Sequence, residues 1–272
     1  MERVKEKDNL YHEQSDRSLV RTLTYGSLMM ALVFIATYSI RIPIPFTQGY
    51  IHPGDSMIFV GSLLFGWQFG ALVGGFGSAF ADILGGYAHW AFPTLIIKGI
   101  MGGLVGWVGF DLLKIKNRLR VHTLLTVGAA GIWLAFCLGI KTMLTDALSA
   151  SPSSLLEEVT ETGTMAEFTA LVGRVDFWMM VAAIGLPLSM LLLVYYLRKR
   201  NGDFLEIPQL LGMLMAGLWM VIGYYIAGGI LYGSFIVSAF SIPANIVQFL
   251  GGIVIAYPII RALKKARIPE RL

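Results

Sequence analysis

Long apolar runs broken by short polar clusters set the pattern of this chain. A bilayer-spanning helix needs ~20 mostly apolar residues. By that measure eight runs qualify, at about 22–41, 54–66, 68–86, 91–113, 121–146, 175–197, 208–232 and 242–262. The pattern predicts an all-α protein, a polytopic membrane helix bundle. The second run is short for a full crossing and is expected to tilt, break or lie shielded by its neighbours. Gly66-Trp-Gln-Phe-Gly70 is the only turn signal between it and the third. Pro93, Pro208 and Pro243 are expected in first turns of helices, where a missing N–H costs nothing.

The polar clusters between the runs orient the bundle. With the N-terminus placed in the cytoplasm, the inner segments collect 17 of the 21 Lys and Arg, clustered at 3–21, 114–120, 198–200 and 261–271. Arg41, Lys141 and Arg174 fall outside, and Lys98 lies inside a run. Eight crossings with both termini inside then satisfy the positive-inside rule at every loop. Residues 1–20 are polar and mixed in charge, without the features of a secretory signal, and read as a mobile cytoplasmic tail. Residues 263–272 form a second such tail. The one long outer connection, 147–173, reads as a solvated loop, with a short amphipathic helix possible from Leu155 to Val172.

Composition agrees. Hydrophobic residues are 56% of the chain and charged residues 14%, against roughly 25% charged in soluble domains; mean hydropathy is +0.69. The net charge of +4 comes from clusters between spans, which is a topological signal rather than a nucleic-acid footprint. Cys137 is the single cysteine and lies in an apolar run, which rules out an intrachain disulfide and a Cys-based metal site.

Against this background the stretch from Tyr50 to Gly99 stands out, because His52, Asp55, Asp82, His89 and Lys98 fall in or beside apolar runs. Ionisable groups there are costly unless paired or wetted, so they mark a functional site by default. The motifs Gly49-Tyr-Ile-His-Pro-Gly-Asp55, Gly74-Gly-Phe-Gly-Ser-Ala-Phe-Ala-Asp82, Pro93-Thr-Leu-Ile-Ile-Lys-Gly99 and Ile242-Pro-Ala-Asn-Ile-Val-Gln248 resemble the substrate-binding S component of energy-coupling factor (ECF) transporters. The resemblance is to the branch of riboflavin-type, hydroxymethylpyrimidine and pyridoxine carriers. It implies a core of six helices, with 21–113 similar to the first four and 208–262 to the last two. It also implies capture of a small vitamin or precursor, a membrane coupling subunit and two ABC ATPases as partners, and no cofactor. Residues 121–197 depart from it as an inserted hairpin of two spans, which leaves the downstream topology unchanged.

Candidate site residues follow. The outer loop 43–54 is stiffened by prolines and suited to covering a cavity. Its Gln48, Tyr50, His52 and Asp55 offer donors, acceptors and a stacking face for a flat heteroaromatic ring. Asp55 reads equally as a helix N-cap. Asp82 and Lys98 lie near outer ends of consecutive spans and read as a structural ion pair, as substrate contacts, or as both. Trp90 reads as an interfacial belt residue, as do Tyr224, Tyr225 and Tyr232, while His89 stays a ligand candidate. Asn245 and Gln248 share a helix face at i, i+3. The resemblance implies that this last helix lines the pocket, and that the small pair Ser27 and Ala31 on the first helix docks on the coupling subunit.

Rival classes are weaker. Ser78 and His89 sit too far apart in depth for a nucleophile and its base, and no Gly-Lys-Ser/Thr nucleotide loop is present. The four scattered histidines do not suggest a metal substrate. A solitary proton-coupled carrier, with Asp82 and Lys98 as the protonation couple, is the strongest alternative. The topology makes a direct prediction: a cysteine introduced at Ser153 reacts with an impermeant reagent added outside, and one at Asn201 does not. The opposite labelling pattern would reverse the orientation.

Overall fold

The computed structural model describes residues 2–44, 49–150, 164–199 and 206–265. In chain order the elements are α1 (Glu2–Ser39), β1 (Ile42–Pro43), β2 (Tyr50–Ile51), α2 (Gly54–Phe65), α3 (Trp67–Leu84), α4 (Ala88–Gly109), a 3-10 turn (Asp111–Lys114), α5 (Arg118–Ala150), α6 (Met165–Lys199), α7 (Glu206–Tyr232), α8 (Phe235–Ala239) and α9 (Ile242–Lys265). Every apolar run of the sequence is a helix. Among the described residues, six helical segments are long and apolar enough to cross a membrane, so the chain is a multi-pass membrane protein. The two strands form a small antiparallel hairpin, with Ile42 opposite Ile51 and Pro43 opposite Tyr50.

Several boundaries differ from expectation. The polar stretch from Glu2 is helical and continuous with α1. The break between α2 and α3 is the single residue Gly66, whose φ of 95° is a left-handed conformation that glycine adopts without strain. Pro93 lies in the second turn of α4, because that helix begins five residues earlier at Ala88. Met165 to Val172 belongs to α6; the rest of the expected loop helix, 155–163, lies outside the described residues.

The α3/α4 pair sets the packing. Hydrophobicity does little to hold membrane helices together, so they rely on close approach at small residues. A Cβ on Gly102 would stand 2.1 Å from the Gly70 carbonyl oxygen, and one on Gly106 2.4 Å from the Trp67 nitrogen. With backbones this close, α3 and α4 form one slab. Against it lies α2, ten of whose twelve residues are buried, at the centre of the bundle with α7. Its Asp55 meets Lys98, ten residues into α4 and thus about 15 Å below Ala88 by helical rise. A helix that starts this far down has no need of full length, which accounts for the short second run. The β1–β2 hairpin fills the space above it.

Helices α5 and α6 pair through the Trp133 indole, which donates to the Ala182 carbonyl at 3.0 Å. They lean on the core through Phe136 against Tyr225 and Phe168 against Phe240. Their outer faces carry exposed Ile132, Leu138, Ile184 and Leu188, as expected where lipid is the solvent. The slab predicts a contrast between two alanines. Gly102→Ala clashes with fixed backbone and should lower thermal stability in detergent by ~1–3 kcal/mol or more. Gly131→Ala, with nothing within 4 Å of the added carbon, should not. Equal melting temperatures for the two variants would count against the close crossing.

Candidate ligand-binding site

The site is built upward from a buried ion pair. Lys98 from α4 bonds Asp55 from the first turn of α2, and both side chains are 0% exposed. The lysine Nζ also lies 2.9 Å from the Met220 sulfur on α7, and 5.4 Å from the centre of the Tyr224 ring. The other Asp55 oxygen accepts from Gln248 Nε2 on α9 at 2.9 Å. The Gln248 carbonyl in turn accepts from the His52 backbone N–H at 3.2 Å. Charges buried in a low-dielectric interior persist only when paired and fully hydrogen-bonded. Here four helices and the loop supply the partners.

The pair expected between Asp82 and Lys98 is therefore not the one that forms. Asp82 stands in the last turn of α3, nearer the loop end of the bundle, whereas α2 begins at the depth of Lys98 and delivers Asp55 to it. Nor does Asp55 cap its helix. Pro53 holds that position and Asp55 follows inside the first turn, where a carboxylate still suits the helix dipole.

Above this floor is a small cavity of about 40 Å³, lined by Ile44, Gly49, Tyr50, His52, Asp82, Trp90, Thr94, Tyr224, Tyr232, Ser241, Asn245 and Gln248. One wall is aromatic. Trp90 meets Tyr224 and Tyr232 edge-on, with ring centres 5.6 and 5.8 Å apart, and the Tyr224 hydroxyl donates to Thr94 Oγ1 at 3.1 Å. The loop closes the top. The Tyr50 hydroxyl donates to Asp82 Oδ1 at 2.7 Å, and the ring packs on Tyr87 at 4.6 Å. Alternation along the strand turns Tyr50 and His52 toward the cavity and Ile51 toward an apolar groove between α6 and α9.

Electrostatics keep the loop residues neutral. Burial, with the neighbouring Asp82 charge next in importance, raises the Tyr50 hydroxyl above its ordinary value, so it stays a donor. Burial, aided by Lys98 and opposed by Asp55, pushes the His52 imidazole down to about 3. Its free Nδ1 accepts from the Gly54 N–H at 3.1 Å, a bond that requires the unprotonated nitrogen.

Of the residues singled out from sequence, Tyr50, His52, Asp82, Asn245 and Gln248 line the cavity, and Asp55 and Lys98 form its floor. His89 does not join them. It is exposed, with its ring 6.1 Å from Trp90 on the outer side. Gln48 lies outside the described residues. Trp90 is not a belt residue but 7% exposed and part of the wall. Tyr224 and Tyr232 belong to that wall too, whereas Tyr225 turns away toward Phe136 and Phe235. Thr94 and Ser241 were missed outright. A four-residue spacing marks these faces: Trp90, Thr94 and Lys98 on α4; Met220, Tyr224, Gly228 and Tyr232 on α7; Ser241 just before α9 and Asn245 in its first turn.

Comparisons with known proteins agree with this architecture. The chain matches the family described as ECF-type riboflavin transporter, S component, over residues 17–193 and again over 176–265. A Pyrococcus woesei protein, described as an uncharacterized protein in a gap 3' region, is 51% identical over 75 residues, which are 28% of this chain and 50% of that protein. The thiamine precursor transporter HmpT of Lactococcus lactis subsp. cremoris (strain MG1363) is 32% identical over 107 residues, 39% of this chain and 64% of that one. The matched stretches thus span between half and just under two-thirds of these relatives' lengths. No solved structure matches.

The ion pair predicts a rescue. Lys98→Met strands a buried carboxylate and should cost ~3–5 kcal/mol, while adding Asp55→Leu removes the stranded charge and should restore most of the loss. Thermal unfolding of the purified variants reads both effects. A single variant as stable as the parent, or a double variant no better than the single, would remove the pair from its structural role.

Proposed function

Because the chain belongs to the family of ECF-type riboflavin transporter S components, we propose that it is the membrane-embedded capture subunit of an importer for a small water-soluble vitamin or vitamin precursor. One observation carries the reading: a cavity at the loop end with an aromatic wall of Trp90, Tyr224 and Tyr232 facing a polar edge of Asp82, Asn245 and Gln248. Flat heteroaromatic ligands need that combination of stacking and directed hydrogen bonds. The Lactococcus relative is named as a transporter of a thiamine precursor, in keeping with a vitamin precursor as the ligand.

In this reading residues 21–113 and 208–262 are the core and 121–197 an inserted hairpin, with the pocket facing outward and both termini cytoplasmic. The chain has no nucleotide loop, so concentrative uptake falls to partners: a membrane coupling protein and two ABC-type ATPases. Ser27 and Ala31 are both exposed on α1, one turn apart, and offer a small-residue face on which such a protein can pack. The solitary carrier keeps one observation in its favour, a buried Asp55–Lys98 pair directly under the cavity.

Both readings meet the same experiment. Mass spectrometry of small molecules retained through purification identifies the ligand. Asn245→Ala should then weaken its binding about tenfold, the cost of one lost buried hydrogen bond. Ser27→Trp or Ala31→Trp should abolish uptake in cells holding the coupling proteins while leaving binding by the purified chain intact. Uptake without partners, undiminished by either tryptophan, would establish the solitary carrier instead.

A further inference from the structure

A second concavity lies on the membrane side of the loop, between α6 and α9. Its volume is about 450 Å³, and none of its described lining residues is ionisable. Trp178, Val181 and Val247 stand exposed along its rims, while Ala182, Leu186 and Ile246 are buried beneath them. The Ala182 carbonyl on this wall already accepts from the Trp133 indole. A Cβ added at Gly185 would meet nothing within 4 Å, so the α6 wall stands open to an occupant.

Depth and width decide what that occupant is. The groove reaches Ile51, and Asp55, four residues later, sits at the depth of Lys98. That depth is about 15 Å below the start of α4 by helical rise, in a hydrocarbon layer ~30 Å thick. The groove therefore lies among lipid chains rather than headgroups. From Pro243 to Leu250 it follows α9 for about 10 Å of rise. Spread over that length, about 450 Å³ leaves a cross-section of about 45 Å². A helix with its side chains is ~10–12 Å across and fills roughly 80 Å² or more, so a partner helix is too wide to enter. A hydrocarbon chain, whose carbons pack ~4 Å from their neighbours, fits, and an empty groove would forfeit dispersion contacts along every wall.

We propose that the groove between α6 and α9 binds a hydrocarbon chain of a membrane lipid, which packs against Ile51 and backs the strand that carries Tyr50 over the cavity. The chain is recognised by shape and apolar area, so the headgroup is not selected. Strand alternation turns Ile51 to the lipid and Tyr50 to the cavity. One strand thus partitions the two, and the lipid becomes part of the support of the loop. What the cavity binds has no bearing on this site.

The test uses the full-length chain in phosphatidylcholine vesicles that include a phosphatidylcholine with a diazirine midway along one chain. After irradiation, peptide mass spectrometry maps the lipid adducts. Any lipid-facing surface takes some label, so exposed Leu138 on α5 reports bulk lipid. Ile51, only part-exposed and in a loop, should be labelled as well as Leu138. Gly185→Trp from α6 and Ala244→Phe from α9 each put a ring into the groove, and each should lose the Ile51 label while keeping the label on Leu138. Gly131→Trp, on α5 with equally open space around it, should keep both. Two groove variants on separate helices leave the result readable if one fails to fold. An unlabelled Ile51 in the parent, or an Ile51 label that survives in a folded groove variant, would overturn the lipid site.

Discussion

An ammonium and a carboxylate buried in a membrane bundle have to find each other, and that requirement shapes the site. Lys98 lies three turns into α4 and is fully buried. Its partner must come from an element that starts at the same depth, and Asp55 meets the condition because it stands in the first turn of α2. The chain leading into α2 must then descend between the helix ends. That descent produces the β1–β2 hairpin, and the hairpin brings Tyr50 and His52 over the cavity. Gln248 completes the arrangement by bonding Asp55 with its nitrogen and the loop backbone with its oxygen. A side chain held at both ends in this way ties the floor to the roof while still lining the cavity.

The glycine crossing of α3 and α4 is the second condition. Close backbones make these helices a rigid wall that carries Asp82 on α3 and Trp90, Thr94 and Lys98 on α4. Only with that wall fixed can residues of α7 and α9 converge on it with ångström accuracy. No described residue of the α5/α6 hairpin lines the cavity. It adds lipid-facing surface and supports α7, through Phe136 against Tyr225, from behind the aromatic wall.

The boundary between pocket and membrane is one residue layer thick. Tyr50 on β2 and His52 just after it face the cavity while Ile51 faces the groove beside α6; on α9, Asn245 and Gln248 face the cavity while Ala244, Ile246 and Val247 face that groove. The same short segments thus serve ligand recognition and lipid contact through the alternation of strand and helix faces.

Much was legible in the sequence because a bilayer imposes strong constraints on it. Hydrocarbon demands long apolar helices, so the helices and their order follow from hydropathy, and ionisable residues in such runs announce the region of the site. Tyr50, His52, Asp82, Asn245 and Gln248 were found that way. What a linear pattern does not carry is depth and facing. The partner of Lys98 depends on where α2 begins, and that is decided by how the loop packs. Whether Trp90 is a belt residue or a wall, and whether His89 points inward, depends on the rotation of α4 about its axis, since neighbours in sequence lie about 100° apart. The sequence by itself determined a membrane bundle with a polar site near one end of it. Tertiary packing alone decided which charges pair and which side chains face the cavity, because those are properties of helices placed against one another.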